Sequence, residues 1–121
     1  MTFPEQDRAA IAAADEIEIE THATDGTVHR TIIWIVTSDG DVYVRSVNGP
    51  GARWYREATA TGEADLHLDG RPIPARVEAA ANAAGVAACS EALRAKYTAD
   101  SSLQSMLMPE TLPTTLHVVP A

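Results

Sequence analysis

The sequence predicts a mainly β domain with a few short helices, in which six strands are able to close into a small barrel. Three Asp-Gly pairs lie between segments with strand patterns, and this dipeptide is a strong signal for a tight hairpin turn. They are Asp25-Gly26, Asp39-Gly40 and Asp69-Gly70. A final strand pattern at residues 115–119 follows the longest helical pattern. A strand in this position commonly completes a barrel, which removes exposed strand edges.

One helix and three strands are predicted in the first half of the chain. The Ala-rich N-terminal segment predicts a short helix that ends near Asp15. Polar and apolar residues alternate over 16–22, which is typical of a half-buried strand. The second strand, 27–37, contains the unbroken β-branched and aromatic run 32–36, and such a run suits a strand that is covered on both faces. A third strand follows at 42–47.

Two helices and the remaining strands are predicted in the second half. A short helix spans 52–61 and ends at Gly62, because glycine is a frequent residue just past the end of a helix. Strand patterns at 64–68 and 73–77 flank the third Asp-Gly pair. The longest helix is predicted over 82–97, where apolar residues recur at helical spacing.

The composition argues against several classes of function. A chain of 121 residues with 45% hydrophobic residues predicts one folded domain spanning 1–121. With 9 Lys and Arg against 17 Asp and Glu, the formal net charge is −8, and we therefore expect neither nucleic acid nor a membrane surface as a partner. The sequence shows no signal-peptide pattern and no apolar run near the roughly 20 residues of a membrane span. Together with the single cysteine, Cys89, this predicts a cytoplasmic protein without an internal disulfide.

One positively charged segment stands out in this acidic chain. Residues 42–56 contain three arginines and no Asp or Glu. Arg45 lies in an alternating strand between apolar residues, where a charged group needs a partner. The simplest functional interpretation is that the segment binds an anionic small molecule, most often a phosphate. The alternative is that the arginines only pair with nearby carboxylates, and Arg53 and Glu57 are spaced as such a surface pair.

The loop Gly49-Pro50-Gly51 supports the phosphate interpretation. Glycine lets the backbone approach a ligand closely, and the helix that follows points free N–H groups back toward the loop. Arg45, Ser46 and Arg53 could therefore converge with these amides on one phosphate or carboxylate. The glycine spacing matches neither a Walker motif nor a dinucleotide-binding motif.

No metal site is predicted. The four histidines lie in separate predicted strands and lack zinc-like spacing, so we expect them to be surface or hydrogen-bonded strand residues. They are His22, His29, His67 and His117. Cys89 is expected to be buried as a small hydrophobic side chain on the longest helix.

Several segments resemble an uncharacterised family of small bacterial proteins, the domain-of-unknown-function family numbered 2255. The resemblance extends over nearly the whole chain from Asp15 onward. The segments that carry it are 16–21, 33–36, 43–47, Gly49, 53–56, 95–97 and 114–116. This family is similar to a branch of the FMN-binding split-barrel superfamily, which includes relatives of pyridoxamine-phosphate oxidase and deazaflavin-dependent reductases.

The resemblance implies a six-stranded split β-barrel that forms a homodimer, with FMN or a deazaflavin in a groove at the barrel wall and subunit interface. By position, the cofactor phosphate would lie on Arg45, Ser46 and Arg53, and Trp34 would lie beside the ring system. The further cofactor-binding candidates are Asn48, Gly49 and Trp54, of which Trp54 is also a candidate core residue. The candidate proton donors are Tyr55 and Tyr97.

These implications give one leading hypothesis and two alternatives. The leading hypothesis is an oxidoreductase that uses FMN or a deazaflavin to transfer a hydride to a small organic substrate. The first alternative is a module of the same fold that holds an anionic metabolite without chemistry. The second is a cofactor-independent enzyme that uses a tyrosine or Lys96 in the same pocket. Few basic residues follow the third strand, and a fold does not establish redox chemistry. If the site hypothesis holds, we expect Arg45→Ala to abolish anion binding at little cost in stability.

Overall fold

The computed structural model describes residues 2–121. Over these residues the chain forms four α-helices and seven β-strands, with two short 3-10 turns at Gly49–Gly51 and Leu112–Thr114. The helices are α1 (Glu5–Ala13), α2 (Arg53–Thr61), α3 (Ala83–Lys96) and α4 (Leu103–Met106). The strands are β1 (Ile17–His22), β2 (Val28–Ile33), β3 (Val36–Ser38), β4 (Asp41–Val44), β5 (Glu63–Leu68), β6 (Arg71–Ala79) and β7 (Leu116–Pro120).

The seven described strands form one antiparallel sheet in the order β2-β1-β5-β6-β7-β4-β3. Its two edge strands, β2 and β3, are consecutive in the chain and are separated only by Trp34 and Ile35. Each residue spans at most about 3.6 Å of chain, so the two edges of the sheet must lie close together. The sheet therefore curls into a half-barrel.

The predicted mainly β fold with helices is confirmed, but the predicted count of six strands is wrong by one. The segment predicted as one strand over 27–37 breaks at Trp34 and Ile35, because one straight strand cannot follow both edges of a curled sheet. The carbonyl of Ile35 accepts hydrogen bonds from Lys96 Nζ at 2.7 Å and from Tyr97 Oη at 3.3 Å. Side-chain periodicity does not reveal this break, since the residues on both sides of it are apolar.

Two of the three Asp-Gly pairs form tight hairpin turns. Asp39-Gly40 and Asp69-Gly70 each fill a two-residue turn between paired strand ends. Both residues of each pair have positive φ, 49° and 85° in the first pair and 51° and 75° in the second. A type I′ turn requires this conformation at both positions. Asp25-Gly26 belongs to a longer loop in which only Gly26 has a positive φ.

Hydrophobic residues pack on both faces of the curled sheet. The larger cluster lies on the inner face, where α1 and α2 contribute Ile11 and Trp54. The smaller cluster lies on the outer face of β3 and β4, where α3 contributes Cys89 and Tyr97. Cys89 has no exposed surface, so the prediction that it is buried is confirmed.

Candidate functional site

A cleft with a volume of about 330 Å³ opens between the end of β2, the segment after β4, the start of α2, and α4. This volume falls at the lower end of the range for small-molecule sites, which starts near 300 Å³. Its apolar wall is formed by Ile32, Ile33, Trp34, Val47, Trp54 and Met106. Its polar groups are Glu16, Thr31, Arg45, Asn48, Ser102 and Ser105.

A second groove is larger, about 490 Å³, but its lining is less suited to an aromatic or anionic ligand. It lies where β1 separates from β5, next to β6 and the C-terminal residue. Its lining includes the carboxylate side chains of Glu20, Glu63 and Asp65 together with Arg76, and no aromatic ring other than that of His22. None of the residues predicted from the sequence as a ligand contact lines this groove, so we take the smaller cleft as the candidate site.

Arg45 is the most buried charged residue near the cleft. Only 2% of its surface is exposed, and its guanidinium donates four hydrogen bonds to protein acceptors. Nε donates to Thr115 Oγ1 at 3.0 Å, and Nη1 donates to Ser90 Oγ at 3.0 Å and to the Met106 carbonyl at 3.3 Å. Nη2 donates to the Val86 carbonyl at 3.2 Å.

The charge of Arg45 has no partner of opposite sign in the part of the chain that the structure describes. All four acceptors are neutral, and no carboxylate of residues 2–121 lies within 4.0 Å of the guanidinium. A guanidinium has five N–H groups, so one N–H of Nη2 has no acceptor in these residues. Desolvation lowers the pKa of Arg45, which reflects the cost of a buried charge without a counter-ion. The pairing with carboxylates that the sequence left open does not occur for this arginine.

The neighbouring thiol of Cys89 does not supply the missing negative charge. Burial raises the pKa of Cys89 to about 11, and the nearby Arg45 only partly opposes that shift. The side chain therefore stays a neutral thiol at neutral pH and belongs to the outer hydrophobic cluster.

The structure brings together four of the seven cofactor-binding residues predicted from the sequence. Trp34, Arg45, Asn48 and Trp54 line the cleft. Trp54 is at the same time a core residue, with 6% of its surface exposed.

The other three cofactor-binding candidates do not line the cleft. Ser46 is buried, and its hydroxyl donates to the Gly49 carbonyl at 2.8 Å. Gly49 has a φ of 75°, so these two residues shape the turn that carries Asn48. Arg53 is exposed on α2 and lies 3.5 Å from Thr31 Oγ1. Thr31 is itself a cleft residue, so the side chain of Arg53 reaches the cleft through Thr31 without lining it.

The two tyrosines predicted as proton donors lie outside the cleft lining. Tyr55 is half-buried and packs edge-on against Trp54, with ring centroids 6.2 Å apart. Tyr97 stacks on Trp34 at 3.8 Å, and its hydroxyl donates to the Asp15 carbonyl at 2.7 Å and to the Ile35 carbonyl at 3.3 Å. Burial raises the pKa of Tyr97 to about 12, so this hydroxyl holds its proton tightly.

Sequence reasoning missed the serines of the cleft. Ser102 directly precedes α4 and Ser105 lies within it, in a segment whose sequence pattern is ambiguous between helix and loop. Leu103 and Met106 are buried and lie three residues apart. This spacing places both apolar side chains on one face of a helical turn, and it is the signal that could have revealed the helix.

The described residues contain neither a metal-binding cluster nor a membrane-spanning helix. Across residues 2–121, no group of three or more His, Cys, Asp or Glu side chains is arranged to hold a metal ion. No helix in that part of the chain is long and apolar enough to cross a membrane.

The curled sheet with its joined edge strands defines a split-barrel protein, and solved structures of low identity share this fold. HutZ, the heme storage protein from Vibrio cholerae, is 8% identical, with a TM-score of 0.68 over 100% of this chain and 92% of that one. An F420 reductase is 14% identical, with a TM-score of 0.65 over 98% and 96%. A FAD-binding protein from Mesorhizobium loti is 16% identical, with a TM-score of 0.54 over 98% and 88%.

The chain belongs to the family described as "Uncharacterized protein conserved in bacteria (DUF2255)", whose model matches residues 7–118. The resemblance found in the sequence is therefore confirmed. A search among curated proteins finds no match.

Proposed function

We propose that this protein binds FMN or a deazaflavin in the cleft, with the anionic group of the cofactor on Arg45, and transfers a hydride to a small organic substrate. The observation that carries the proposal is the buried guanidinium of Arg45, a residue of the cleft lining. One of its N–H groups has no acceptor in residues 2–121, and no carboxylate of those residues lies within 4.0 Å of it. An anionic group that accepts this N–H would supply the missing counter-charge.

The residues of the cleft fit such a cofactor. Trp34 and Trp54 offer apolar aromatic surface for a planar ring system. Asn48, Ser102 and Ser105 also line the cleft and offer hydrogen-bonding groups to a ligand, and Glu16 adds one carboxylate to the same lining. The bound flavin or deazaflavin would supply the hydride chemistry, while these side chains would bind and orient it.

The structural neighbours support a ligand of this kind at the level of the fold. Their names include an F420 reductase and a FAD-binding protein, and F420 is a deazaflavin. Another neighbour is a heme storage protein, but heme iron is usually held by His, Cys, Met or Tyr. Of these types, only Met106 is among the described residues that line the cleft, and it is 94% buried, which favours a flavin-type ligand over heme.

A module that binds an anionic metabolite without redox chemistry is the second candidate. One observation favours it, because the described cleft residues include no His, Lys, Cys or Tyr, and Glu16 is the single carboxylic acid among them that could transfer a proton. The same observation gives little support to a cofactor-independent enzyme. Lys96 and Tyr97, the residues considered for that role, direct their polar groups to backbone carbonyls.

Titration of the purified protein with FMN and with F420 tests the proposal, with fluorescence quenching and thermal shift as readouts. We expect saturable binding of one of the two, strong loss of binding in Arg45→Met, and little change in Arg53→Met. Arg53 is the matched control because it is the other predicted phosphate contact but lies outside the cleft lining. Binding of neither cofactor at high concentration, with stabilisation by a phosphorylated metabolite, would favour the non-redox module.

We further propose a homodimer that covers the open side of the cleft. Ile32 and Val47 line the cleft with 63% and 46% of their surface exposed, and Val28 on the same edge strand is 55% exposed. A second copy that packs on this edge would bury these side chains and close the cleft. Light scattering should give twice the chain mass, and Ile32→Glu should shift the protein toward monomer. A wild-type monomer at high concentration would contradict the dimer.

A further inference from the structure

Trp34 lies at the break between β2 and β3, and its two sides have different neighbours. One side contributes to the cleft. The other stacks on the ring of Tyr97, with centroids 3.8 Å apart and ring planes within 8° of parallel. The position of the Trp34 ring therefore depends on the contacts that hold Tyr97 and on those that hold the strand break.

Two adjacent side chains donate hydrogen bonds to the break and to the segments around it. Lys96 Nζ donates to the Ile35 carbonyl at 2.7 Å and to the Ile11 carbonyl at 3.2 Å. Tyr97 Oη donates to the Ile35 carbonyl at 3.3 Å and to the Asp15 carbonyl at 2.7 Å. The two side chains thus tie the end of α3 to the end of α1, to the segment before β1, and to the break. Lys96 Nζ also lies 5.6 Å from the Tyr97 ring centroid, within cation–π distance.

Burial of the Lys96 side chain has a desolvation cost that packing alone does not explain. Its ammonium is half-buried, and no carboxylate of residues 2–121 lies within 4.0 Å of it. An apolar side chain of similar length would avoid this desolvation cost. What the ammonium provides is a pair of charge-assisted hydrogen bonds to carbonyls, one at the last turn of α1 and one at the strand break.

We propose that Lys96 and Tyr97 form a clamp that fixes the strand break and thereby positions Trp34 for a planar aromatic ligand. Neither residue lines the cleft, so both act through Trp34 and are positioning residues. The consequence for ligand affinity rests on the proposed function, whereas the orientation of Trp34 does not.

The clamp can be tested in the ligand-free protein. The chain has two tryptophans, so a Trp54→Phe background isolates the fluorescence of Trp34. In this background we compare Lys96→Met, Tyr97→Phe and the control Arg94→Met, which removes an exposed cation from the same helical turn. We expect a changed emission maximum and a weaker near-ultraviolet circular dichroism band in Lys96→Met. The effect should be smaller in Tyr97→Phe, which keeps the stacked ring, and absent in Arg94→Met.

The same substitutions with Trp54 intact test the link to the ligand, with FMN as the probe. Lys96→Met removes the hydrogen bonds that Lys96 donates to the Ile11 and Ile35 carbonyls. We expect this loss to weaken FMN binding about tenfold, the equivalent of about 1.4 kcal/mol. Far-ultraviolet circular dichroism and a cooperative melt check that each variant is folded, and Tyr97→Phe replaces Lys96→Met if the latter does not fold.

The outcomes separate three claims: the existence of the clamp, its role in ligand positioning, and the proposed function. An unchanged Trp34 signal in a folded clamp variant overturns the clamp. A changed Trp34 signal with unchanged FMN affinity overturns its role in ligand positioning. If the wild type binds neither FMN nor F420, the proposed function fails, and the Trp34 signal alone still decides whether the clamp exists.

Discussion

Arg45 and Glu20 are both shielded charged residues, but their surroundings are opposite. Glu20 lies on β1 with 15% of its side chain exposed, and three groups of potential positive charge face its carboxylate. His67 Nε2 is 2.9 Å away, His22 Nε2 is 3.2 Å away, and Arg30 Nε is 3.5 Å away. Arg45 is more deeply buried, yet only neutral acceptors surround it.

The difference separates a charge with a structural role from a charge available to a ligand. The carboxylate of Glu20 is compensated by neighbouring side chains of the same chain, so it does not require a charged ligand. The residues around Arg45 provide four hydrogen-bond acceptors for its guanidinium but no negative charge. A buried charge without a counter-ion is costly, and it is found here at the wall of a cleft with aromatic sides.

The largest expected effect is the loss of stability on removing the Arg45 side chain. Arg45→Met should lower the free energy of unfolding by about 2–4 kcal/mol, because several buried acceptors lose their donor. Urea unfolding measures this, with Arg94→Met as an exposed control. The four hydrogen bonds and the burial of Arg45 do not support the sequence-based expectation of little cost in stability. A change no larger than that of Arg94→Met would contradict this structural role.

At alkaline pH the cleft side of the molecule should lose stability through Tyr97. Its folded-state pKa of about 12 is above the usual 10.0, so its stabilisation is complete below pH 10 and is lost as the pH rises toward 12. Lys96 acts in the opposite direction, because burial lowers its pKa. We therefore expect the wild type to lose more stability than Tyr97→Phe between about pH 10 and about pH 12. Equal losses would show that the Tyr97 hydroxyl is not buried as described.

The smallest expected effect on stability is the one that Glu20 has at acid pH. Hydrogen bonding to His22 is the main cause that holds the pKa of Glu20 below its usual 4.5, with His67 adding to it and partial burial opposing it. Because the folded pKa is lowered, the stabilisation is present above pH 4.5 and is lost as the pH falls through the folded pKa. Glu20→Gln should cost about 0.5–1 kcal/mol near neutral pH.

The matched control for Glu20 is Glu18, an exposed residue on the same strand and face. Glu18→Gln should leave stability nearly unchanged near neutral pH. A larger cost for Glu18→Gln than for Glu20→Gln would mean that the cluster around Glu20 does not compensate its charge.

Local signals made much of the fold predictable. The type I′ turns at Asp39-Gly40 and Asp69-Gly70 depend on residue types within the turn itself. The helix that ends at Gly62, where φ is 74°, follows from the same kind of short-range preference. The break at Trp34 and Ile35 could not be predicted, because its hydrogen-bond donors lie about sixty residues away on α3.

The candidate site was predictable in part for the same reason. An arginine between apolar residues of a strand marks Arg45 as unusual from sequence alone. The acceptors of its guanidinium come from residues 86, 90, 106 and 115, so its actual surroundings depend on the tertiary fold. The approach of Arg53 to the same point was inferred from chain proximity, and the structure places Arg53 at Thr31 on β2, which lines the same cleft.

The most direct test of the central claim compares FMN with riboflavin, which lacks the phosphate, in the wild type, Arg45→Met and Arg53→Met. We predict that the wild type binds FMN at least about tenfold more tightly than riboflavin, since a charge-assisted hydrogen bond to a buried guanidinium contributes about 1.5–3 kcal/mol. This preference should disappear in Arg45→Met and persist in Arg53→Met. Equal affinity of the wild type for the two ligands, or a preference that survives in folded Arg45→Met, would contradict the claim that Arg45 is the anion-binding group of the cleft.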